Sequence, residues 1–345
     1  MSENKSERIH LLCCANARIF AQNIIEELSK FCTKDDFHVI KSSEYYFANG
    51  EIKTVIEDSI RGKSIYIVQC IESSSQLVEE RKKSINDNLM ALFTAIDAVR
   101  RAGAEKTHVI LMPFPYSRQE KQKFREPITA SIIAQFLESL GITTLVTVDI
   151  HAEAIAGFFR STNLLNIQSA NTLIKHLQTK HVEYLTNLVV VSPDVGGASR
   201  ARYFASKLGS DLALVSKERD YSQLNKVERV TLIGNVKNKN ALVVDDMIDT
   251  GGTIVNVVKI LKQNGVKNIF VCCAFPLFSP PCIQRFDALY NEQLLDKVIA
   301  TDAINHGQDF ADNHPWYEQV SIAPLFAQIL STLSKNGSIS ELLEK

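Results

Sequence analysis

Apolar residues along this chain fall into short unbroken runs, and stretches of helical spacing separate them. Ile9–Cys14, Ile65–Cys70, His108–Pro113, Leu145–Val148, Leu188–Val191, Leu212–Val215, Ala241–Val244 and Asn268–Ala274 read as strands, and their lack of polar alternation marks them as buried on both faces. His38–Ile40 reads as a further short strand, and the Asn-Gly within Tyr45–Ile52 as a turn between strands. Ala17–Leu28 places Phe20, Ile24, Ile25 and Leu28 on one helical stripe. Asp87–Arg101 does the same with Leu89, Leu92, Phe93, Ile96 and Val99, and Gly103 ends it. Pro127 precedes a helix over Ile128–Leu140, and Arg200–Leu208 is another. Strands and helices in this alternation predict an α/β protein, with mostly parallel sheets covered by helices on both faces. Ligands of such sheets bind at the carboxyl ends of the strands.

Two stretches break the alternation. Ile71–Ser84 holds a serine run and the charge run EERKK and reads as a solvated loop. Tyr221–Val236 is polar and then hairpin-like. A faint repeat links the halves: RAGAEKTHVILMPFPYS in the first echoes QNGVKNIFVCCAFPLFS in the second. It implies two related domains.

Composition narrows the class. The chain has 345 residues, enough for two domains, with 45% hydrophobic and 22% charged residues. A net charge of −1 argues against a protein that coats nucleic acid. The polar start, MSENKSERIH, carries no secretion signal, and no apolar run nears the ~20 residues of a membrane span. Seven cysteines, an odd number with no C-x-x-C, mostly sit in strand-like runs and read as reduced residues of a cytoplasmic protein.

The most informative chemistry lies in Ala241–Gly265. A buried strand, Ala241–Val244, runs into Asp245, Asp246, Asp249, Thr250, Gly251, Gly252 and Thr253. A helix follows with Ile254, Val257, Val258 and Leu261 inward, and Gly265 stops it. Free amides at a helix start, approached closely over glycine, make a phosphate seat. Three carboxylates beside that seat imply bound hydroxyls, a metal, or both, which fits a sugar phosphate. Other strand ends are also polar. SPDVGG offers Asp194 for a metal, and a plain helix cap at Ser192 or Asp194 competes with that reading. DIHAE puts His151 just past a strand. SKERD supplies Lys217 and Arg219, two cations suited to a transferring phosphoryl group, although K-x-R is also a common surface pattern. SRQEKQK offers Arg118, Lys121 and Lys123, for a polyphosphate or simply for solvent. There is no Walker A motif, so an ATP site would not be of the P-loop type.

DDMIDTGGT resembles the ribose-phosphate loop of the phosphoribosyltransferase fold, and most closely that of the ribose-phosphate pyrophosphokinases, or PRPP synthetases. FANGE, IRGKSIYIVQ, NDNLM, PYSRQ, EPITA, VDIHAE, VSPDVGG, SKER and NGSIS follow the order of that family over nearly the whole chain. The resemblance implies two tandem phosphoribosyltransferase-like domains. One spans 8–155, with 325–345 packing back on it, and the other spans 156–324 and carries the ribose 5-phosphate loop. It implies an active site between them, near a subunit contact.

It also implies transfer of the diphosphoryl group of MgATP to the 1-hydroxyl of ribose 5-phosphate. Phe47, Asn49 and Glu51 would reach ATP from a neighbouring subunit, and Arg118, Gln119, Glu120 and His151 would line the ATP site. His151 and Asp194 would carry Mg²⁺. Lys217 and Arg219 would stabilise the transition state, and Asp245, Asp246, Asp249, Thr250, Gly251, Gly252 and Thr253 would hold ribose 5-phosphate. Ser59, Arg61, Arg125, Ser338 and Ser340 would contribute to an allosteric phosphate site, with inorganic phosphate as activator. A dimer-based homo-oligomer, up to a hexamer, is implied.

The chain departs from the family pattern in the long Ile71–Ser84, the short stretch from Gln119 to Pro127, Ala154 and Ala156 where glutamines are usual, Phe275 for a histidine, and the segment beyond Phe286. Two rivals remain: a phosphoribosyltransferase that consumes PRPP, and a non-catalytic homologue that regulates a true synthetase.

Overall fold

Uninterrupted apolar runs become the interior strands of two sheets. The computed structural model describes residues 7–72, 83–218 and 229–343. Residues 73–82 of the long loop, Arg219, and residues 221–228 of the polar stretch lie outside the described residues. By contact the chain falls into two units. One is Met1–Gln168 with Ala303–Asn305 and Ser321–Lys345; the other is Ser169–Asp302 with His306–Val320.

The first unit contains β1 (Ile9–Cys13), α1 (Arg18–Leu28), β2 (Phe37–Val39), β3 (Ser42–Tyr46), β4 (Ile52–Ile56), β5 (Ser64–Cys70), α2 (Ile85–Arg101), β6 (Lys106–Met112), α3 (Thr129–Ser139), β7 (Thr144–Val148) and β8 (Asn163–Ile167). Its sheet has the order β2-β1-β5-β6-β7-β8, and every pairing is parallel. β8 pairs with β7, which keeps the chain in this unit beyond residue 155. β3 and β4 form a separate antiparallel hairpin. Helix α2 starts at Ile85, ahead of the expected Asp87. Ser84 caps it: the Ser84 hydroxyl accepts from the Asp87 amide (3.1 Å) while the Asp87 carboxylate accepts from the Ser84 amide (2.9 Å).

The second unit contains α4 (Ala170–Lys180), β9 (Leu188–Ser192), α5 (Ala198–Leu208), β10 (Asp211–Glu218), β11 (Arg229–Ile233), β12 (Asn240–Ile248), α6 (Gly252–Gln263), β13 (Ile269–Pro276), α7 (Cys282–Asn291), β14 (Lys297–Thr301), α8 (Gln308–Asn313) and β15 (Tyr317–Val320). The order is β11-β10-β9-β12-β13-β14-β15, parallel except for the antiparallel edge strand β11. The segment beyond Phe286 supplies β14, α8 and β15, and it closes over an aromatic cluster. Phe278, Phe286, Phe310 and Trp316 are all fully buried, and the Trp316 indole donates to Asp287 at 2.7 Å. α9 (Ala323–Ser334) and α10 (Ile339–Leu343) belong to the first unit; Phe326 of α9 meets Phe20 of α1 edge to face at 5.5 Å.

The faint sequence repeat is a repeat of topology. Reading β10-β9-β12-β13-β14-β15 against β2-β1-β5-β6-β7-β8 gives one connectivity twice. Gly103 before β6 and Gly265 before β13 share a left-handed φ, +83° and +80°. Tyr116 and Phe278, after the same strands, share another, +57° and +50°.

At the end of α3, the Glu138 carboxylate accepts from the amides of Arg160 (2.9 Å), Ser161 (2.6 Å) and Thr162 (3.0 Å), pinning the turn that leads into β8. These donors hold its carboxyl down to about 2 from an ordinary value of 4.5. A depressed carboxyl contributes stability that is full above the ordinary value and is lost as pH falls through the folded one. Glu138→Gln is therefore expected to lower the denaturation midpoint of the first unit near neutral pH. The gap to the parent should narrow between pH 4.5 and about 2 in denaturant titrations run across that range.

Candidate functional site

The expected acidic turn is partly strand. β12 continues through Asp245 and Asp246 to Ile248, because the long neighbour β13 still offers partners: Asp245 pairs with Cys273, Met247 with Phe275 and Ile248 with Pro276. The ladder thus carries two adjacent carboxylates to the carboxyl end of a central strand. Asp246 is 4% exposed, and the Asp246 amide donates to the Asp245 carboxylate at 2.9 Å. Burial pushes the Asp245 carboxyl well up, and the neighbouring Asp246 carboxylate adds to that. Arg200, from the first turn of α5, opposes both effects: its guanidinium lies 3.7 Å from Asp245 and 3.8 Å from Asp246.

Asp249 and Thr250 lead into Gly251, which caps α6 with φ +75°. A side chain there would be strained and also obstructed, since a Cβ would stand 2.9 Å from the Cys282 sulfur and 3.1 Å from the Phe286 ring. The Arg285 guanidinium donates to the Thr250 carbonyl at 2.7 Å and fixes the loop from the α7 side. The opening amides of α6, at Gly252 and Thr253, have no intrahelical acceptor, which suits an anion. Ile254, Val257, Val258 and Leu261 are buried beneath it, as the apolar spacing predicts.

After β9, exposed Asp194 uses one carboxylate oxygen to accept from the Gly197 amide at 2.9 Å, and the Ser192 hydroxyl donates to the Asp194 carbonyl at 2.7 Å. These bonds brace the turn ahead of α5, whose N-cap is Gly197 with no side-chain cap. The Asp194 bond engages Oδ1. Lys217 lies in β10, its backbone in register with Val230.

In the first unit, PYSRQ follows β6 and DIHAE follows β7. Asp149 holds a left-handed φ of +39°, with its amide donating to the Ile167 carbonyl at 2.8 Å and the Ile150 amide to the Asn166 side chain at 2.9 Å. This strained turn presents His151 as an exposed side chain. Burial pushes the Glu120 carboxyl up. Its own amide, the Lys121 ammonium at 3.2 Å and the His151 imidazole outweigh that and hold it below the usual carboxylate range. Glu120 and His151, predicted from separate motifs, therefore share one neighbourhood. Arg118 and Gln119 are exposed on the same loop, and Gln119 accepts from the Thr129 hydroxyl at 2.5 Å. On the hairpin, Phe47 is 50% exposed while its amide donates to the Glu51 carbonyl at 2.9 Å; Asn49 Oδ1 accepts from the Glu51 amide at 3.2 Å.

The expected phosphate-site residues all belong to the first unit. Ser59 and Arg61 precede β5 at its amino end, Arg125 follows β6 at its carboxyl end, and Ser338 and Ser340 flank the start of α10. Arg200 and Arg285 also stand at this strand end, and neither was expected there: an arginine in the first turn after SPDVGG was a weak signal for Arg200, and Arg285 had none.

Two tandem units of one parallel topology, with an acidic strand end feeding a glycine-capped helix, define the phosphoribosyltransferase class. Residues 160–289 match the phosphoribosyl transferase domain, and residues 9–141 match the N-terminal domain of ribose phosphate pyrophosphokinase. The chain is 34% identical over 332 residues to a ribose-phosphate pyrophosphokinase of Listeria ivanovii, covering 95% of this chain and 97% of that protein. It is 38% identical over 299 residues to that of Chlorobaculum tepidum, covering 86% and 85%. A crystal structure of phosphoribosylpyrophosphate synthetase from Mycobacterium smegmatis superposes with a TM-score of 0.82 at 30% identity, over 96% of this chain and 100% of that one. The chain belongs to the ribose-phosphate pyrophosphokinase family.

Gly251→Ala joins an unfavourable φ to a steric clash, so it should cost about 2–4 kcal/mol of stability. Denaturant unfolding monitored at Trp316, which lies in the same cluster as Phe286, reads this directly.

Proposed function

We propose that this protein is a ribose-phosphate diphosphokinase that makes PRPP and AMP from ATP and ribose 5-phosphate. The observation that carries the reading is the acidic end of β12 set against the glycine-capped start of α6, in a chain that is family-like from end to end. The carboxylates of Asp245, Asp246 and Asp249 accept from the sugar hydroxyls. The loop amides and hydroxyls from Thr250 to Thr253 hold its 5-phosphate. The 1-hydroxyl oxygen attacks the β-phosphorus of ATP, the bond from that phosphorus to the α-phosphate oxygen breaks, AMP leaves, and the hydroxyl proton passes to solvent. No covalent enzyme intermediate is needed, because catalysis is positioning and charge neutralisation.

Lys217 and Arg219 neutralise charge on the transferring group. Arg118, Gln119, Glu120 and His151 line the nucleotide side. Phe47, Asn49 and Glu51 serve a neighbouring subunit, which the half-exposed Phe47 supports. His151 and Asp194 are the proposed magnesium ligands, each exposed within its own unit; when bound, Mg²⁺ would neutralise the phosphates of ATP. Ser59, Arg61, Arg125, Ser338 and Ser340 are proposed to contribute to an activating phosphate site within a homo-oligomer. No helix among the described residues is long and apolar enough to cross a membrane. Seven free thiols favour the cytoplasm.

The test follows AMP and PRPP together in purified protein given ribose 5-phosphate, MgATP and phosphate. Equal formation of both, lost on chelation of Mg²⁺, is the expected outcome. Absence of AMP across phosphate and nucleotide conditions would instead indicate a regulatory homologue. Within the same assay, Arg200→Ala removes the cation that opposes the raised Asp245 carboxyl. We expect kcat/KM to fall about tenfold, equivalent to about 1.4 kcal/mol. Because the Asp245 carboxyl then titrates higher still, the acid limb of the kcat/KM profile should move to higher pH, and Arg200→Lys should recover part of both effects.

A further inference from the structure

His176, His181 and Glu318 meet on the flank of the second sheet, away from the acidic end of β12. His176 lies in the last turns of α4, His181 immediately follows that helix, and Glu318 is on β15. Side chains alternate along a strand, so Glu318 points to the same face as Val320. That face is the apolar one beneath α4: Leu173, Leu177, Ile299 and Val320 are buried there in one cluster. A carboxylate among such neighbours requires compensation. Both imidazoles provide it, and each addresses a different oxygen: His176 Nε2 is 2.6 Å from Oε1, and His181 Nε2 is 3.0 Å from Oε2. The His181 ring is held edge-on by Phe270 at 5.2 Å, so its direction is fixed by packing.

We propose that His176, His181 and Glu318 form a site for one divalent transition-metal ion of the zinc type. One ligand atom from each residue lies within 4.8 Å of the others, so small side-chain rotations bring all three to bonds of about 2 Å. Two imidazole nitrogens and one carboxylate oxygen are the donors that Zn²⁺, Co²⁺ and Ni²⁺ favour, whereas Mg²⁺ selects oxygen. Three protein ligands leave a fourth position. On the His181 side the cluster borders a cavity of about 710 Å³, lined also by Lys180, Tyr184, Asn240 and Asp296. On binding, each Nε2–H···O hydrogen bond is replaced by an Nε2–metal bond, and the imidazole carries its proton on Nδ1 instead. The ion would tie the end of α4 to a strand 142 residues further along the chain. The same three residues also work as a plain hydrogen-bonded clasp, and the two roles are separable.

Full-length protein is stripped with chelator, returned to excess Mg²⁺ so that oxygen-rich sites stay filled, and titrated with Zn²⁺ in competition with a chromophoric chelator. One tight equivalent is expected. His181→Gln and Glu318→Gln should each weaken it by at least about 100-fold, more than the usual loss on removing a residue that only orients a ligand. Glutamine still hydrogen-bonds in both variants, so the local pairing that folds the segment is kept. X-ray absorption at the zinc edge of the unmodified protein needs no variant and should report two imidazoles. An all-oxygen shell, or equal zinc affinity in the parent and both variants, would leave only the clasp and overturn the proposal.

Discussion

Two adjacent carboxylates at the end of a buried strand are the constraint around which the second unit is arranged. Next to each other in low-dielectric surroundings, they repel and resist ionisation. The fold answers locally. β13 extends the ladder past them, Arg200 comes across from α5, and α6 begins immediately beyond with its positive end. None of these neutralises the acids completely, since the Asp245 carboxyl remains raised. The second unit therefore keeps a raised carboxyl directly ahead of the positive end of a helix.

The first unit relies on a device that the second shares at Phe278. Strained backbone does the presenting there: Asp149 takes a left-handed conformation directly after β7 and Tyr116 does so in the loop that follows β6, and their loops bring Glu120 and His151 within electrostatic reach. Such strain persists only where the surroundings enforce it. Buried strands ending in hydrogen-bonded turns supply that enforcement, through Ile167 and Asn166 on β8.

Most of the scaffold was legible in the sequence, because parallel strands buried on both faces are written as unbroken apolar runs. The acidic loop was legible too, as chemistry and conformation coincide within nine residues from Asp245 to Thr253. What escaped depends on partners remote in sequence. The strand runs on to Ile248 only because β13 is long enough to pair with it. Arg200 matters only because β9 and β12 are neighbours in the sheet, and Arg285 only because α7 packs on Gly251. Beyond Phe286, Trp316 and Phe310 are core residues separated by polar ones, so no run announces β14, α8 or β15. The turn of α2 at Ser84 was readable as a capping box and was missed because the serine run before it reads as loop.

The duplicated topology has a consequence for how this chain can change. Both units repeat one strand order, yet only the second joins its central strand to the following helix by a glycine-rich acidic turn. At the matching place in the first unit, between β5 and α2, the chain inserts Ile71–Ser84. A scaffold present twice frees one copy from holding a sugar phosphate. Its loops can then lengthen, shorten or acquire other residues without unmaking the fold that carries them. The departures at 71–84, 119–127, Ala154 and Ala156 fall in that copy, whereas Phe275 and the segment beyond Phe286 fall in the other. Change has reached both halves of the molecule, and in the second it lies outside the stretch from Asp245 to Thr253.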